Sequence, residues 1–201
     1  MTDSTLPAPL GAPGPAVDLY LNALAKMLTR YGFEGRSATV IFNPRSYESY
    51  LWDLVRQATP NRDIRMVEPG VFDAARRDVG RDWPADAETM VGMKRLLNVR
   101  EVMESVLADG IEGDFIETGA WRGGTCIFAR AILAAYGVTD RNVWVADSFE
   151  GLPAPDGRFE ADRGDQHHTK VDLAVSVEQV EENFRRYDLL DDQVKFLKGF
   201  F

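Results

Sequence analysis

The sequence predicts an α/β fold, a parallel sheet alternating with helices and preceded by a helical extension. Three observations carry this. Short apolar runs at 114–117 (DFIE), 142–147 (NVWVAD) and 193–199 (QVKFLKG) read as strands. The stretches between them, 124–136 and the segment behind Ser176, have helical spacing, and strand–helix–strand–helix–strand implies right-handed crossovers in a parallel sheet. The first strand also runs directly into a glycine-rich turn, ETGAWRGGTC, at the carboxyl end where such a sheet meets its ligand.

Composition bounds the rest. The chain has 201 residues, 45% hydrophobic and 27% charged, enough for one domain with a modest extension. A net charge of −9 with no basic patch argues against a nucleic-acid partner. The single cysteine, Cys126, excludes an internal disulfide and a cysteine-based zinc site, and fits the cytoplasm. The first residues lack a basic start and an apolar core, so they do not read as a secretory signal. No apolar run is long enough to span a bilayer.

Residues 1–16 are rich in Pro, Ala and Gly and read as a disordered tail. Val17, Tyr20, Leu21, Leu24, Met27, Leu28 and Tyr31 are spaced as one helix face, with Gly32 as its stop. A short strand is expected at 38–42. Asn43 and Pro44 then open a helix whose apolar face holds Tyr47, Tyr50, Leu51, Leu54 and Val55. Residues 59–85 read as an irregular connector or lid, so 17–85 form an N-terminal helical and lid region. The sheet domain begins at 86 with a helix from about Asp86 to Ala108, carrying a stripe of Met93, Leu96, Leu97, Met103, Val106 and Leu107 and stopped by Gly110. After the second strand, a Pro/Gly/Asp-rich loop covers Ser148 to about Asp172. Ser176 and Gln179 match a capping box, before a helix with Val177, Val180, Phe184 and Tyr187 on its buried face.

The glycine turn matches neither a P-loop, since it lacks the Gly-Lys-Ser/Thr ending, nor the dinucleotide pattern G-x-G-x-x-G. It reads Glu117-x-Gly119-x-x-x-Gly123-Gly124, in which Gly119 and Gly123 allow tight turning and close approach of backbone to a ligand. A glutamate at the strand end repels phosphate and attracts a cation or ammonium group. Asp147 ends the second strand thirty positions later, where a βαβ unit meets ribose hydroxyls. Together the two acids describe a pocket for a positively charged nucleoside without phosphates, and S-adenosylmethionine is the common metabolite of that description.

Other polar residues read more plainly. Asp156, Asp162 and Asp165 are candidate carboxylates, but a solvated acidic loop accounts for them. His167 and His168 lack a third ligand at helical spacing and read as loop residues. Trp121 and Arg122 contact substrate or cofactor, or else Trp121 packs on the N-terminal helices while Arg122 pairs with a local acid. Cys126 reads as a small buried hydrophobe.

Three longer stretches, from TMVGMKRLLNV through ETGAWRGGTCIFARAIL, then VWVADSFEGLPAPD, then VEENFRRYDLLDDQVKFLKGFF, resemble the macrocin O-methyltransferase family, which methylates deoxysugar hydroxyls of antibiotics. DLYLNALAKMLTRYGFE and GRDWPADAETM resemble its N-terminal region, whereas residues 36–70 do not match it. The resemblance implies a Rossmann-like class I methyltransferase sheet, S-adenosylmethionine as cofactor, and a small-molecule sugar hydroxyl as acceptor, with no nucleic-acid or membrane partner. Self-association into a homo-oligomer is compatible with it. By the same resemblance Glu117, Thr118 and Gly119 line the methionine end of the cofactor and Asp147 and Ser148 hold the ribose. Gly199 and Phe200 lie near the adenine, and Thr89 and Met90 belong to a closing lid. The family is metal-dependent, with ligands and base in an Asp-Gly-Asp motif and an Asp-Asp pair. By the resemblance both lie on later strands, past Phe201, so residues 86–201 read as the N-terminal part of the domain, with Mg2+ expected and its ligands elsewhere. The alternative is a truncated, non-catalytic cofactor-binding or partner module. A nicotinamide oxidoreductase is a third reading, weakened by the missing G-x-G-x-x-G.

Overall fold

A computed structural model describes residues 13–31, 33, 37–40, 46–58, 67–70, 72–82 and 84–200. Its core is a three-stranded parallel sheet of β3 (Phe115–Thr118), β4 (Val143–Asp147) and β5 (Val194–Lys198), in the order β3-β4-β5. The expected strands are therefore present and parallel. Asp114, at the entry to β3, accepts the Asn142 main-chain N–H at 2.8 Å and the Trp144 indole N–H at 2.8 Å. These bonds tie the starts of β3 and β4 together and hold the Asp114 carboxyl below the usual carboxylate range.

Glu117, Val145 and Phe196 are registered neighbours across the sheet and share one face. The two connecting helices, α5 (Gly124–Ala135) and α6 (Val177–Arg185), pack on that face. Cys126 of α5 reaches Glu117, and Phe184 of α6 meets Phe196 edge-on with ring centroids 6.2 Å apart. The opposite face carries exposed Ile116 and Leu197 and half-buried Trp144 and Lys195.

Every residue of α5 from Gly124 to Leu133 is buried. The reason is that α1 (Pro15–Leu28) and α4 (Met93–Ala108) pack on the side of α5 away from the sheet. A helix apolar all round demands such double coverage. Gly14 caps α1 in extended conformation and Pro15 occupies its first turn, where a missing N–H costs nothing. The helix thus starts within the stretch expected to be a disordered tail, of which residues 1–12 lie outside the described residues. Leu21, Leu24, Ala25 and Leu28 form the buried face of α1, while Tyr20 and Met27 of the expected stripe are exposed. The C-cap is Thr29; Gly32 lies outside the described residues.

The region before the sheet differs most from expectation. The connector 59–85 contains a strand, β2 (Val67–Gly70), and a short helix, α3 (Ala74–Asp78), begun by an Asp73 side chain accepting the Arg76 N–H. The strand β2 pairs antiparallel with β1 (Ser37–Val40). Asn43, Pro44 and the end of the expected 38–42 strand lie outside the described residues, but the helix they were to open is present as α2 (Ser46–Ala58). Its Tyr50, Leu51, Leu54 and Val55 are all exposed rather than facing a core. Finally, α4 begins at Met93, not near Asp86. Glu88 N–H donates to Leu28 O and Glu88 O accepts from Gly124 N–H, so this segment spends its hydrogen bonds on other elements and cannot be helical. Met93, Leu96 and Leu107 are buried, Met103 and Val106 half-buried, and Leu97 exposed. The capping box at Ser176 and Gln179 forms as expected.

Candidate cofactor site

The site lies at the carboxyl ends of β3 and β4. Parallel registration sets Thr118 beside Ala146, so Glu117 and Asp147 sit at neighbouring strand tips. They feel one another: burial pushes the Glu117 carboxyl above its usual range, and the negative charge of Asp147 pushes it further in the same direction. Hydrogen bonding from Cys126 and Thr125, in the first turn of α5, pulls against that shift.

Asp147 is held by its own neighbourhood. Its Oδ2 accepts the Trp121 main-chain N–H at 3.0 Å, and its Oδ1 accepts the Phe149 N–H at 2.9 Å. Each oxygen keeps a further lone pair, so an oriented carboxylate remains able to accept from two vicinal hydroxyls. Both donors come from strained backbone: Trp121 has φ 50° and Phe149 has φ 56°, rare values for bulky residues. Such strain concentrates at ligand sites, where surrounding structure over-determines the chain.

The glycines divide into two kinds. Gly119, at φ 89°, has open space where a side chain would project, and its N–H donates to Ala146 O at 2.8 Å. It turns the chain across the strand tips while leaving room above. Gly123 and Gly124 answer to packing instead. A Cβ on Gly123 would lie 2.7 Å from Val180 Cγ1, and one on Gly124 would lie 2.6 Å from Glu88 O. The expectation that Gly123 serves close ligand approach is thus corrected: it lets α5 and α6 close together.

Thr89 is buried, and its Cβ lies 2.7 Å from where a Gly124 Cβ would be, so the 84–92 segment lies directly on the glycine turn. Arg122 holds that segment by donating to Ala85 O at 2.8 Å and Ala87 O at 2.7 Å. Main-chain carbonyls thus take one nitrogen, Nη1, of this guanidinium. Arg30 donates to Glu88 Oε1 at 3.0 Å, and Tyr187 adds a hydrogen bond to the same carboxyl. Met90 is half-buried.

Ser148 is buried. Its hydroxyl donates to Gly151 O at 2.7 Å, which orients the loop after β4. Gly199 N–H donates to Asp147 O at 2.9 Å, bringing the end of β5 to the same edge, and Phe200 is exposed beside it. Thr118 is exposed at the tip of β3. Asp156 pairs with exposed Arg158 at 2.5 Å, Asp162 accepts the Asp156 N–H, and Asp165 pairs with His167. His168 is exposed. The solvated-loop reading of these residues fits those contacts.

Sequence reading missed three roles. Cys126 is fully buried as expected, but its Sγ lies 3.1 Å from Glu117 Oε2. The Trp121 indole donates to Asp172 O at 2.8 Å, and its ring lies 4.2 Å from the Arg122 guanidinium carbon. Glu88 carries the buried charge pair of the 84–92 segment. Only the first had a signal: in a strand–turn–helix unit, the first helical turn returns over the strand's end.

Residues 17–201 match the family model described as Macrocin-O-methyltransferase (TylF). The chain belongs to the macrocin O-methyltransferase family. It is 45% identical over 189 residues to the 8-demethyl-8-(2,3-dimethoxy-alpha-L-rhamnosyl)-tetracenomycin-C 4'-O-methyltransferase of Streptomyces olivaceus, covering 92% of this chain and 62% of that protein. It is 51% identical over 165 residues to the mycinamicin III 3''-O-methyltransferase of Micromonospora griseorubida, covering 77% of this chain and 65% of that protein. To the demethyldecarbamoylnovobiocin O-methyltransferase of Streptomyces niveus it is 54% identical over 127 residues, 62% of this chain and 48% of that protein. The solved structure of the O-methyltransferase NovP superposes with a TM-score of 0.72 at 39% identity, covering 91% of this chain and 64% of that one. The chain spans between about half and two thirds of the length of these relatives. This family membership supports the α/β methyltransferase fold read from the sequence.

Proposed function

We propose that this chain binds S-adenosylmethionine as part of an O-methyltransferase acting on a sugar hydroxyl of a natural product, in the cytoplasm. The single observation that carries the reading is the pair of electrostatically coupled carboxylates, Glu117 and Asp147, at adjacent strand tips across the open Gly119 turn. A buried carboxylate beside a second one is unfavourable without a cation, and a ligand bearing an ammonium and a sulfonium relieves that cost.

In this reading Glu117 faces the ammonium of the methionine end. Asp147, aimed by the Trp121 and Phe149 N–H groups, accepts the ribose hydroxyls. The exposed ring of Phe200 offers a stacking surface for adenine. Thr118 and Gly119 flank the methionine end, Ser148 sets the loop after Asp147, and Thr89 with Met90 closes the site from the segment lying on Gly124. Methyl transfer from a sulfonium is an in-line displacement, so these residues contribute alignment and exclusion of water. The acceptor hydroxyl must lose its proton as it attacks. Among the described residues no three metal-binding side chains converge to hold the Mg2+ implied by the resemblance. Nor is any helix among them long and apolar enough to cross a membrane. The named relatives are O-methyltransferases, one of them acting on a rhamnosyl-bearing tetracenomycin, and support the acceptor class.

Isothermal titration of the full-length protein with S-adenosylhomocysteine tests the reading. Saturable one-to-one binding is expected; absence of heat and of competition by S-adenosylmethionine would defeat it.

A further inference from the structure

The cysteine has more to do than fill space. Its Sγ lies 3.1 Å from Glu117 Oε2, while the next acceptor, Trp144 O, is 4.0 Å away. Cys126 is fully buried, so no water competes for the thiol. We infer that Cys126 is a positioning residue: its S–H donates to one oxygen of Glu117 and fixes the carboxylate that faces the cofactor's ammonium group. The inference rests on the cofactor reading above.

The chemistry is consistent in both partners. Burial and the adjacent Glu117 charge push the Cys126 thiol well up, which keeps it protonated and therefore a donor. Glu117 is the acceptor that a thiol in such surroundings can reach. The Thr125 hydroxyl adds a second bond to Glu117 from the same helical turn. Among the described residues the titratable groups facing Glu117 are thus Cys126 from α5 and Asp147 from β4, and they act in opposite senses. The thiol bond favours the ionised carboxylate; the Asp147 charge disfavours it. Removing the thiol leaves Asp147 and burial less opposed, and Glu117 holds its proton to higher pH. A protonated Glu117 cannot pair with an ammonium, so affinity is lost from the acid side. Packing alone would not produce that pH signature.

The test measures S-adenosylhomocysteine affinity by calorimetry from pH 5 to pH 9 for the full-length wild type, Cys126→Ala and Cys126→Ser, with thermal unfolding of each apo protein to establish that it folds. For Cys126→Ala, affinity at neutral pH falls about fivefold and the acid limb moves up by about one pH unit. Cys126→Ser, which keeps a donor on a shorter bond, falls between. Should Cys126→Ala not fold, the smaller upward shift of Cys126→Ser against wild type carries the test. Superimposable profiles overturn the role. So does a loss of affinity with an unmoved acid limb, which assigns Cys126 to packing. A wild type that binds no S-adenosylhomocysteine at any pH overturns the cofactor reading, and the positioning role with it; binding wild type with an unshifted variant overturns the positioning role alone.

Discussion

The main-chain N–H of Trp121 points at Oδ2 of Asp147, 3.0 Å away, across the gap between the glycine turn and the second strand. That bond joins the two halves of the proposed site, and Trp121 makes it at φ 50°. The same residue anchors the loop after β4 through its indole bond to Asp172 O. One residue therefore links turn, carboxylate and loop, the carboxylate through its main chain and the loop through its side chain.

Trp121→Ala removes the indole bond and the stacking on Arg122, and costs about 2–3 kcal/mol in stability. Trp121→Gly loses the same contacts but releases the left-handed strain, and is less destabilising than Trp121→Ala by about 1 kcal/mol. Urea unfolding of the two variants side by side checks the order, which is the reverse of what side-chain removal alone dictates.

Gly123→Ala meets Val180 Cγ1 at 2.7 Å and adopts an unfavourable φ, so it destabilises by about 2–4 kcal/mol. Gly124→Ala meets the Glu88 carbonyl and Thr89 Cβ, both backbone or short and unable to swing aside. It displaces the 84–92 segment, and in the proposed function it weakens S-adenosylhomocysteine binding about tenfold or more. Thermal unfolding and calorimetry on both variants separate the two effects.

Glu117→Gln removes a half-buried carboxylate from beside Asp147. The apo protein gains about 2–4 °C in Tm at neutral pH, while affinity for S-adenosylhomocysteine drops about tenfold or more. A variant that is both less stable and equally tight in binding contradicts the assignment of Glu117 to a cation.

The pH dependence follows from Glu88 and Glu117, whose folded carboxyls are both raised, first by burial. Between the ordinary and the raised ionisation range the folded state holds more protons than the unfolded one. Stability from these two groups is therefore full below that window and declines as pH rises through it. Arg30 opposes the shift of Glu88. Arg30→Ala leaves a buried carboxylate unpaired and costs about 3 kcal/mol, more at pH 7.5 than at pH 5. Glu88→Gln on top of it restores part of the loss. Urea midpoints at the two pH values report both outcomes; equal losses at the two values argue against a charged Glu88.

Much of the fold was legible locally. Short apolar runs and helical spacing placed β3, β4, β5, α5 and α6, and the capping box located the start of α6. The glycine turn with acids at two strand ends was legible as a site because strand-end position follows directly from strand assignment. What was not legible depends on partners distant in sequence. Residues 86–92 look helical by pattern, yet Leu28, Gly124 and Arg122 capture their backbone groups. Tyr50, Leu51, Leu54 and Val55 of α2 look like core by spacing, yet they are exposed. Gly123 looks like a ligand glycine, yet Val180 fixes it from fifty-seven residues away.

The sequence by itself determined the order of the three parallel strands and their connecting helices, the identity of the two strand-end acids and the family to which the chain belongs, because each rests on neighbours within a few positions or on contiguous motifs. Only the tertiary structure decided which glycines serve packing, that Asp147 is aimed by Trp121 and Phe149, and that a buried thiol meets Glu117. Those facts are set by the sheet register and by α5 closing over the strand ends, and distance along the chain carries no direct information about either.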